Sequence, residues 1–383
     1  PDVASVSRPD GRVLLFARVG SNWESETDIA DRLIELKDGA GATIGWQYVS
    51  AADDSIELFD ATGVLQVLRT RSGEALTLMY STTNTPTTIA PGRGYLVSVN
   101  DAFGRQLQFS YDATGRLIKM VDPDNRSYAY SYAANNTLTS ITYPDLKTRT
   151  YLYEDAALPF ALTGILDENG ARYSTYAYDS SGRATTTEHA GGAGRHTLVY
   201  GASQTTVTDP LNAVRTYGYT TVLSVLKRTG VSQPCATCGG SNASAMSYDA
   251  NGNLAAKSDF NGNLTCFTYD LTRNLETKRV EGLSGTTCPG TPGTATRTIS
   301  TQWHATFRLP TGIAEPKRIT TYAYDSAGNV TTKTLKATTD TTGASGFSAA
   351  VSGTVRTWTY THTYHPSITG FITQTVVNGP RTD

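Results

Sequence analysis

The residues of this 383-residue chain best suited to metal or redox chemistry are its four cysteines and five histidines. Cys235-Ala236-Thr237-Cys238 is a CxxC, and Cys266 and Cys288 follow it, 22 residues apart. A CxxC knuckle plus two further thiolates is a zinc-ligand pattern. The later pair is not a second CxxC, so disulfides of an exported protein and free thiols stand beside the metal reading. His189, His196, His304, His362 and His365 are dispersed, and no carboxylate or cysteine sits at ligand-like spacing near the last two. They read as surface or sheet-face histidines. There is no Gly-x-Ser-x-Gly elbow, no phosphate-binding Walker loop and no Asp-x-Asp-x-Asp-Gly calcium loop. No paired carboxylates stand out as a glycosidase would need. The expectation is a chain with no catalytic residue and no cofactor.

The residue types that do recur at fixed spacing are aromatic, Asp and Gly. Tyr111-Asp112-Ala113-Thr114-Gly115-Arg116-Leu117 returns as Tyr178-Asp179-Ser180-Ser181-Gly182-Arg183-Ala184. It returns again from Tyr248 (Asp249, Gly252) and from Tyr324 (Asp325, Gly328), and an earlier copy is Phe59-Asp60-Ala61-Thr62-Gly63. The copy at Tyr269-Asp270 has Arg273 where Gly should stand, followed by Asn274. Tyr111, Tyr132 and Tyr153 are each 21 residues apart, as are Tyr248 and Tyr269. Asp-x-x-Gly suits a tight turn: the carboxylate accepts from N–H groups two residues on, and Gly takes the position with positive φ. On that reading Arg273 would carry left-handed strain if its turn keeps the shape. A period of about 21 residues holds two strands and two turns. The alternate turns read as Asp122-Pro123, Asp209-Pro210, Pro144-Asp145, Asp167 to Gly170 and Asp259 to Gly262. Tyr pairs such as Tyr130/Tyr132, Tyr151/Tyr153, Tyr176/Tyr178, Tyr217/Tyr219 and Tyr322/Tyr324 fall on one strand face, which predicts aromatic ladders. Arg116 and Arg183 are expected to pair with a neighbouring Asp.

Composition points the same way. Tyr occurs 22 times, Phe 10, Met 3 and Gly 35, and hydrophobic content is 38%. Tyr favours strands and scattered Gly marks turns, and no long window has helical periodicity. A thin sheet is easier to build from this than a large core. The net charge of −2 argues against a nucleic-acid partner. No run of about 18 apolar residues predicts a membrane span. Before the repeats, Val13 to Phe16 and Trp46 to Val49 read as strands, and Asp28 to Leu36 reads as strand rather than helix. Both ends read as cut from a longer protein.

Tyr-Asp-x-x-Gly-Arg-Leu at this spacing closely resembles the YD repeats of bacterial RHS proteins, which also occur in insecticidal toxin-complex proteins and teneurins. The resemblance covers roughly Ser55 to Tyr324. It implies an all-β fold: a long antiparallel hairpin-repeat sheet spiralling into part of a hollow shell. The expected parts are a β entry segment over 1–55, YD repeats over 56–337 with a loop insertion about 282–297, and a loop-rich, truncated continuation over 338–383. The implied function is a structural wall around a C-terminal polypeptide toxin in a secreted or cell-surface bacterial protein. Its partners would be the enclosed toxin, the rest of the shell and a secretion apparatus or surface glycan. The alternative is an extracellular adhesion or carbohydrate-binding protein. The family's self-cleavage motif, Asp-Pro-x-Gly, is matched neither by Asp122-Pro123-Asp124-Asn125 nor by Asp209-Pro210-Leu211-Asn212, so neither autoprotease nor toxin is expected in this chain.

Overall fold

A computed structural model describes residues 2–232 and 243–380. Among them, 31 strands belong to one sheet, and helix is limited to two single turns, Ala190–Gly192 and Gly346–Ser348. The expected all-β hairpin fold is therefore what the chain adopts. The residues group into two compact units, Pro1–Leu76 with Thr220–Gly230 and Gly239–Asp383, and Thr77–Tyr219 with Val231–Cys238.

The second unit is built by hairpin addition. Gln106–Tyr111, Leu117–Val121, Ser127–Tyr132, Leu138–Thr142, Thr148–Leu152, Gly164–Leu166 and Arg172–Tyr178 each pair antiparallel with the next. Period-2 alternation is plain in Ser127–Tyr132, where Tyr128, Tyr130 and Tyr132 are half-buried while Ser127, Ala129 and Ser131 are exposed. Between residues 96 and 222 no hydrophobic side chain is fully buried. The sheet here is stabilised along its own face, by cross-strand neighbours, rather than by a covering layer.

The expected aromatic ladders appear as separate pairs rather than continuous rows. Tyr128 meets Tyr143 at 6.2 Å, Tyr95 meets Tyr111 at 5.0 Å, and Tyr322 stacks on Tyr324 at 6.3 Å. Other tyrosines face non-aromatic partners: Tyr130 faces Ile141, Tyr132 Leu138 and Tyr176 Thr187. Each motif aromatic sits at a β-bulge, at Phe59, Tyr111, Tyr132, Tyr178, Tyr248, Tyr269 and Tyr324.

The first unit has a true core near its N-terminus. Val6, Leu14, Phe16, Trp23, Leu33 and Tyr48 are buried together, with Ala4, Ile29, Trp46 and Phe59 packed against them. Trp23 meets Trp46 edge-on at 5.2 Å between ring centroids. Arg8 forks onto both oxygens of Glu57 at 2.8 Å and lies 4.3 Å above the Tyr48 ring. The strands Val13–Val19, Arg32–Lys37 and Thr43–Val49 fall where the sequence places them. A second small cluster, Ala256, Leu264 and Leu283, packs with Cys266 and Val280. The insertion forms a loop between Leu275–Leu283 and Arg297–Trp303, pinned by a bridge from Ser284 to Thr291. Beyond Ala337 an ordered loop carries a bridge from Thr338 to Val351 and leads into the hairpin Arg356–Tyr364 and Ile372–Asn378.

One turn is built against its own residue. In Tyr143-Pro144-Asp145-Leu146, Leu146 has φ of 66°, where the matching positions hold Asn125, Asn136 and Asn212. Asn tolerates that region and Leu does not. Leu146 is 83% exposed, so its side chain contributes little packing. Leu146→Gly is expected to stabilise by about 0.5–1 kcal/mol, read as a higher denaturant midpoint at unchanged slope.

Candidate functional site

The turn at Tyr111 shows how the recurring residues work. Asp112 Oδ1 accepts from the N–H groups of Thr114 at 2.9 Å and Arg116 at 3.0 Å. Gly115, at φ of +82°, closes the turn and donates its N–H to the Asp112 carbonyl. Asp112 Oδ2 takes the Arg116 Nε–H at 2.7 Å. Asp60, Asp179, Asp249 and Asp325 accept from the same two backbone positions, and Gly63, Gly182, Gly252 and Gly328 hold the positive φ. In the third and fourth of these Asn253 and Asn329 replace Arg on Oδ2. The alternate turns at Asp122 and Asp209 use the same bonds with Asn at the left-handed position. Asp112 and Asp179 are held well below the usual carboxylate range, first by the backbone N–H of Arg116 and Arg183. A carboxylate bonded in this way to the N–H groups of its own turn is a structural acceptor.

The tyrosines tie each turn to the next. Tyr132 Oη donates to the Leu117 carbonyl at 2.8 Å, Tyr111 to Leu96 at 2.7 Å, Tyr178 to Leu162 at 2.7 Å, Tyr248 to Arg228 at 2.6 Å and Tyr324 to Pro310 at 2.6 Å. Tyr200, outside the strict motif, does the same to Ala184 at 2.7 Å. The motif arginine completes a relay: Arg116, held by Asp112, stacks 5.2 Å from the Tyr132 ring centre, and Arg183, held by Asp179, stacks 4.6 Å from that of Tyr200. Burial pushes the Tyr111, Tyr132, Tyr178 and Tyr324 phenols up, and Tyr269 up to about 12. Tyr153 lies one residue past the strand Thr148–Leu152, and Phe59 packs against the N-terminal core.

The exceptional turn at Asp270 does not keep the shared shape, so the strain expected at Arg273 does not arise. Asp270 pairs directly with Leu275, and the left-handed residue is Asn274, at φ of 50°. Arg273 is freed to reach outward. It donates to the carbonyls of His304 at 2.7 Å, Thr306 at 3.2 Å and Phe307 at 3.0 Å. This is part of a seam inside the first unit, where residues 1–76 meet residues some 250 positions later. Arg308 N–H donates to Asp54 Oδ2 at 2.9 Å, Asn274 Nδ2 to the Thr27 carbonyl at 2.7 Å, and Arg71 to the Ala327 and Gly328 carbonyls at 3.2 and 3.4 Å. Burial, then the charge of Arg273, lowers the Arg308 pKa. Asp54, Arg71 and Arg308 carry no motif, and only the misfit of Arg273 in its turn signalled that something lay there.

Cys266 and Cys288 form a disulfide, with Cα atoms 5.7 Å apart. It ties the strand Leu264–Asp270 to the insertion loop rather than strand to strand. Cys235 and Cys238 lie outside the described residues, among which no group of three or more ligands could hold a metal. His362 contacts the Val330 carbonyl and Thr375 Oγ1, and His196 contacts the Gly194 carbonyl. His189 packs on Tyr173 at 5.3 Å.

Two outcomes follow from the turn chemistry. Tyr132→Phe keeps the ring and removes one half-buried O–H to carbonyl bond, and is expected to cost about 1 kcal/mol in denaturant unfolding. In the loop after Ala337, burial opposes the Asp340 charge, but the N–H groups of Ser345, Thr342 and Gly343 outweigh it and bring the carboxyl to about 2. A depressed carboxyl stabilises above its unfolded value, about 3.9, and the contribution is lost as pH falls toward 2. Pepsin should therefore leave residues 338–353 intact at pH 4 and cut there near pH 2, and Asp340→Asn should remove that difference.

The RHS Repeat family matches residues 92–127 and 111–148, two overlapping matches that contain the Tyr111 turn and its partner at Tyr132. No curated protein matches. Among solved structures, TcdB2-TccC3 without its hypervariable C-terminal region is 11% identical, with TM-score 0.49, over 99% of this chain and 24% of that chain. The TcdB2-TccC3-Cdc42 structure is 12% identical, with TM-score 0.40, over 99% of this chain and 26% of that one. The Photorhabdus luminescens Tc holotoxin pore is 13% identical, with TM-score 0.33, over 96% and 26%. This chain thus spans about a quarter of the length of each. Residues 92–148 thus match the RHS repeat, and the same turn is built again at Asp60, Asp179, Asp249 and Asp325.

Proposed function

We propose that this chain is a wall segment of a hollow shell that encloses a polypeptide cargo, a toxin in a secreted or cell-surface bacterial protein. The observation that carries the reading is the one-layer sheet of residues 96–222, in which no hydrophobic side chain is fully buried. A sheet stabilised by its own cross-strand contacts can leave both faces free, one to solvent and one to a cargo. Its Tyr-rich face, with Tyr128, Tyr130 and Tyr132 half-exposed, offers many weak contacts to an extended chain and no single strong site. The RHS repeats at 92–148 support the same reading. The wall acts by sequestration, and its motif residues build turns rather than perform catalysis. Within it we assign 1–55 to entry, 56–337 to repeats and 338–383 to a loop-rich continuation.

The test is to express the full reading frame that contains this segment and image the particle. A closed particle with internal density, whose inner polypeptide resists protease until the wall is opened, is the expected result. An open sheet with every segment cleaved at similar rates refutes it, and glycan-array binding by such an open form would favour the adhesive alternative.

A further inference from the structure

The turns at Asp60, Asp112, Asp179, Asp249 and Asp325 are organised by a side-chain acceptor at the first position, and at two other turns that acceptor is histidine. The backbone N–H groups of Thr306 and Phe307 lie 3.2 and 3.1 Å from His304 Nδ1. That of Ser367 lies 3.2 Å from His365 Nδ1. An N–H can donate only to an unprotonated ring nitrogen, so in each ring the proton sits on Nε2. The first residue's own N–H closes each turn, to the Leu309 carbonyl for His304 and to the Phe371 carbonyl for His365, both at 2.8 Å.

Both histidine turns stand at the seam with residues 1–76. The first carries Arg308, whose N–H binds Asp54, and Phe307, over which Arg71 lies at 5.6 Å. The second carries Gly370, where a Cβ would collide with the Ser72 carbonyl, and Thr369, whose methyl would be 2.9 Å from a Cβ on Gly73. The charged residue in that facing stretch is Glu74. Around His304 the rings of Phe307 and Tyr324 lie at 4.9 and 6.1 Å. Arg273 binds the His304 carbonyl, Arg308 binds the Arg273 carbonyl, and Arg71 lies 3.8 Å from Asp54. Asp54 and Asp31 both act on Arg308, and Asp270 lies near Arg273. A proton on Nδ1 would set N–H against two N–H groups and add a positive charge to this cluster. A turn carboxylate such as Asp112 is held ionised by the N–H groups of its own turn, whereas an imidazole nitrogen in the same place can take a proton.

We propose that His304, seconded by His365, is a pH-sensitive latch on this seam: with Nδ1 unprotonated it holds residues 1–76 against the 304–309 turn, and a proton on Nδ1 releases them. The test is hydrogen exchange with mass spectrometry on the whole chain at pH 7.5 and 5.5, corrected for intrinsic rates. In the native chain, protection of peptides covering 50–58, 68–76 and 302–310 should fall about tenfold at the lower pH, while the turns at 112–116 and 179–183 keep theirs. His304→Asn supplies an acceptor with no proton to gain, as Asn135 Oδ1 does for the Thr137 N–H. His304→Asp supplies the acceptor that the repeat turns use. Both should hold the seam at both pH values, and His365→Asn should reduce the fall. No fall in the native chain, or an equal fall in the Asn and Asp variants, overturns the proposal.

Discussion

The structure depends on one relay, from carboxylate to guanidinium to aromatic ring to backbone carbonyl. Asp112 folds its own turn and fixes Arg116, Arg116 lies on Tyr132, and Tyr132 Oη closes back on the carbonyl of Leu117. Each bond is modest, since exposed ion pairs and single hydrogen bonds contribute about 1 kcal/mol or less apiece. The relay matters because it is directional. It commits the edge of one hairpin to the position of the next and repeats from Asp179 through Arg183 to Tyr200. A sheet without a covering layer needs such a device to fix neighbours that no core fixes.

That economy explains the composition. Leu and Phe would gain little on a face that nothing covers, whereas Tyr buries a ring against its cross-strand neighbour and still presents a hydroxyl to the backbone. Where the chain does make a core, in the first 76 residues, the residues change to Phe16, Trp23, Leu33 and Tyr48, and the same turn is built at Asp38 and Asp60. Stability in the repeats is then close to a sum of nearest-neighbour terms, while the N-terminal cluster behaves as an ordinary small core.

Most of this was legible in the sequence because turn chemistry is local. Asp, a Gly or Asn three residues on, and the beat of 21 residues specify hairpins without reference to anything distant, and the strands fell where they were expected. What was illegible is register and long-range contact. The bulge at each motif aromatic is one residue of slippage that no side chain announces, and partners such as Ile141 opposite Tyr130 follow from a pairing the motif does not specify. The seam joins Asp54 to Arg308 and Arg71 to Ala327 across about 250 residues, through backbone groups that every residue possesses. Arg273 was visible as an irregularity, but its strain was misassigned, because the turn lengthened and passed the left-handed position to Asn274.

The placement of the bulge has a consequence for how such chains change length. The copies at Phe59, Tyr111, Tyr132, Tyr178, Tyr248, Tyr269 and Tyr324 each spend an irregular residue at the same point, beside the aromatic that begins the turn, with further shifts at places such as Ile165/Leu166 and Leu264/Cys266. Removing or inserting one residue within a strand would exchange its two faces. Removing or inserting a whole two-strand unit returns the chain to the same face, direction and edge, with the next tyrosine meeting the same kind of carbonyl. The sheet can therefore gain or lose area only in quanta of one hairpin pair, and chains with different numbers of repeats should differ by multiples of that unit rather than by scattered single-residue gaps.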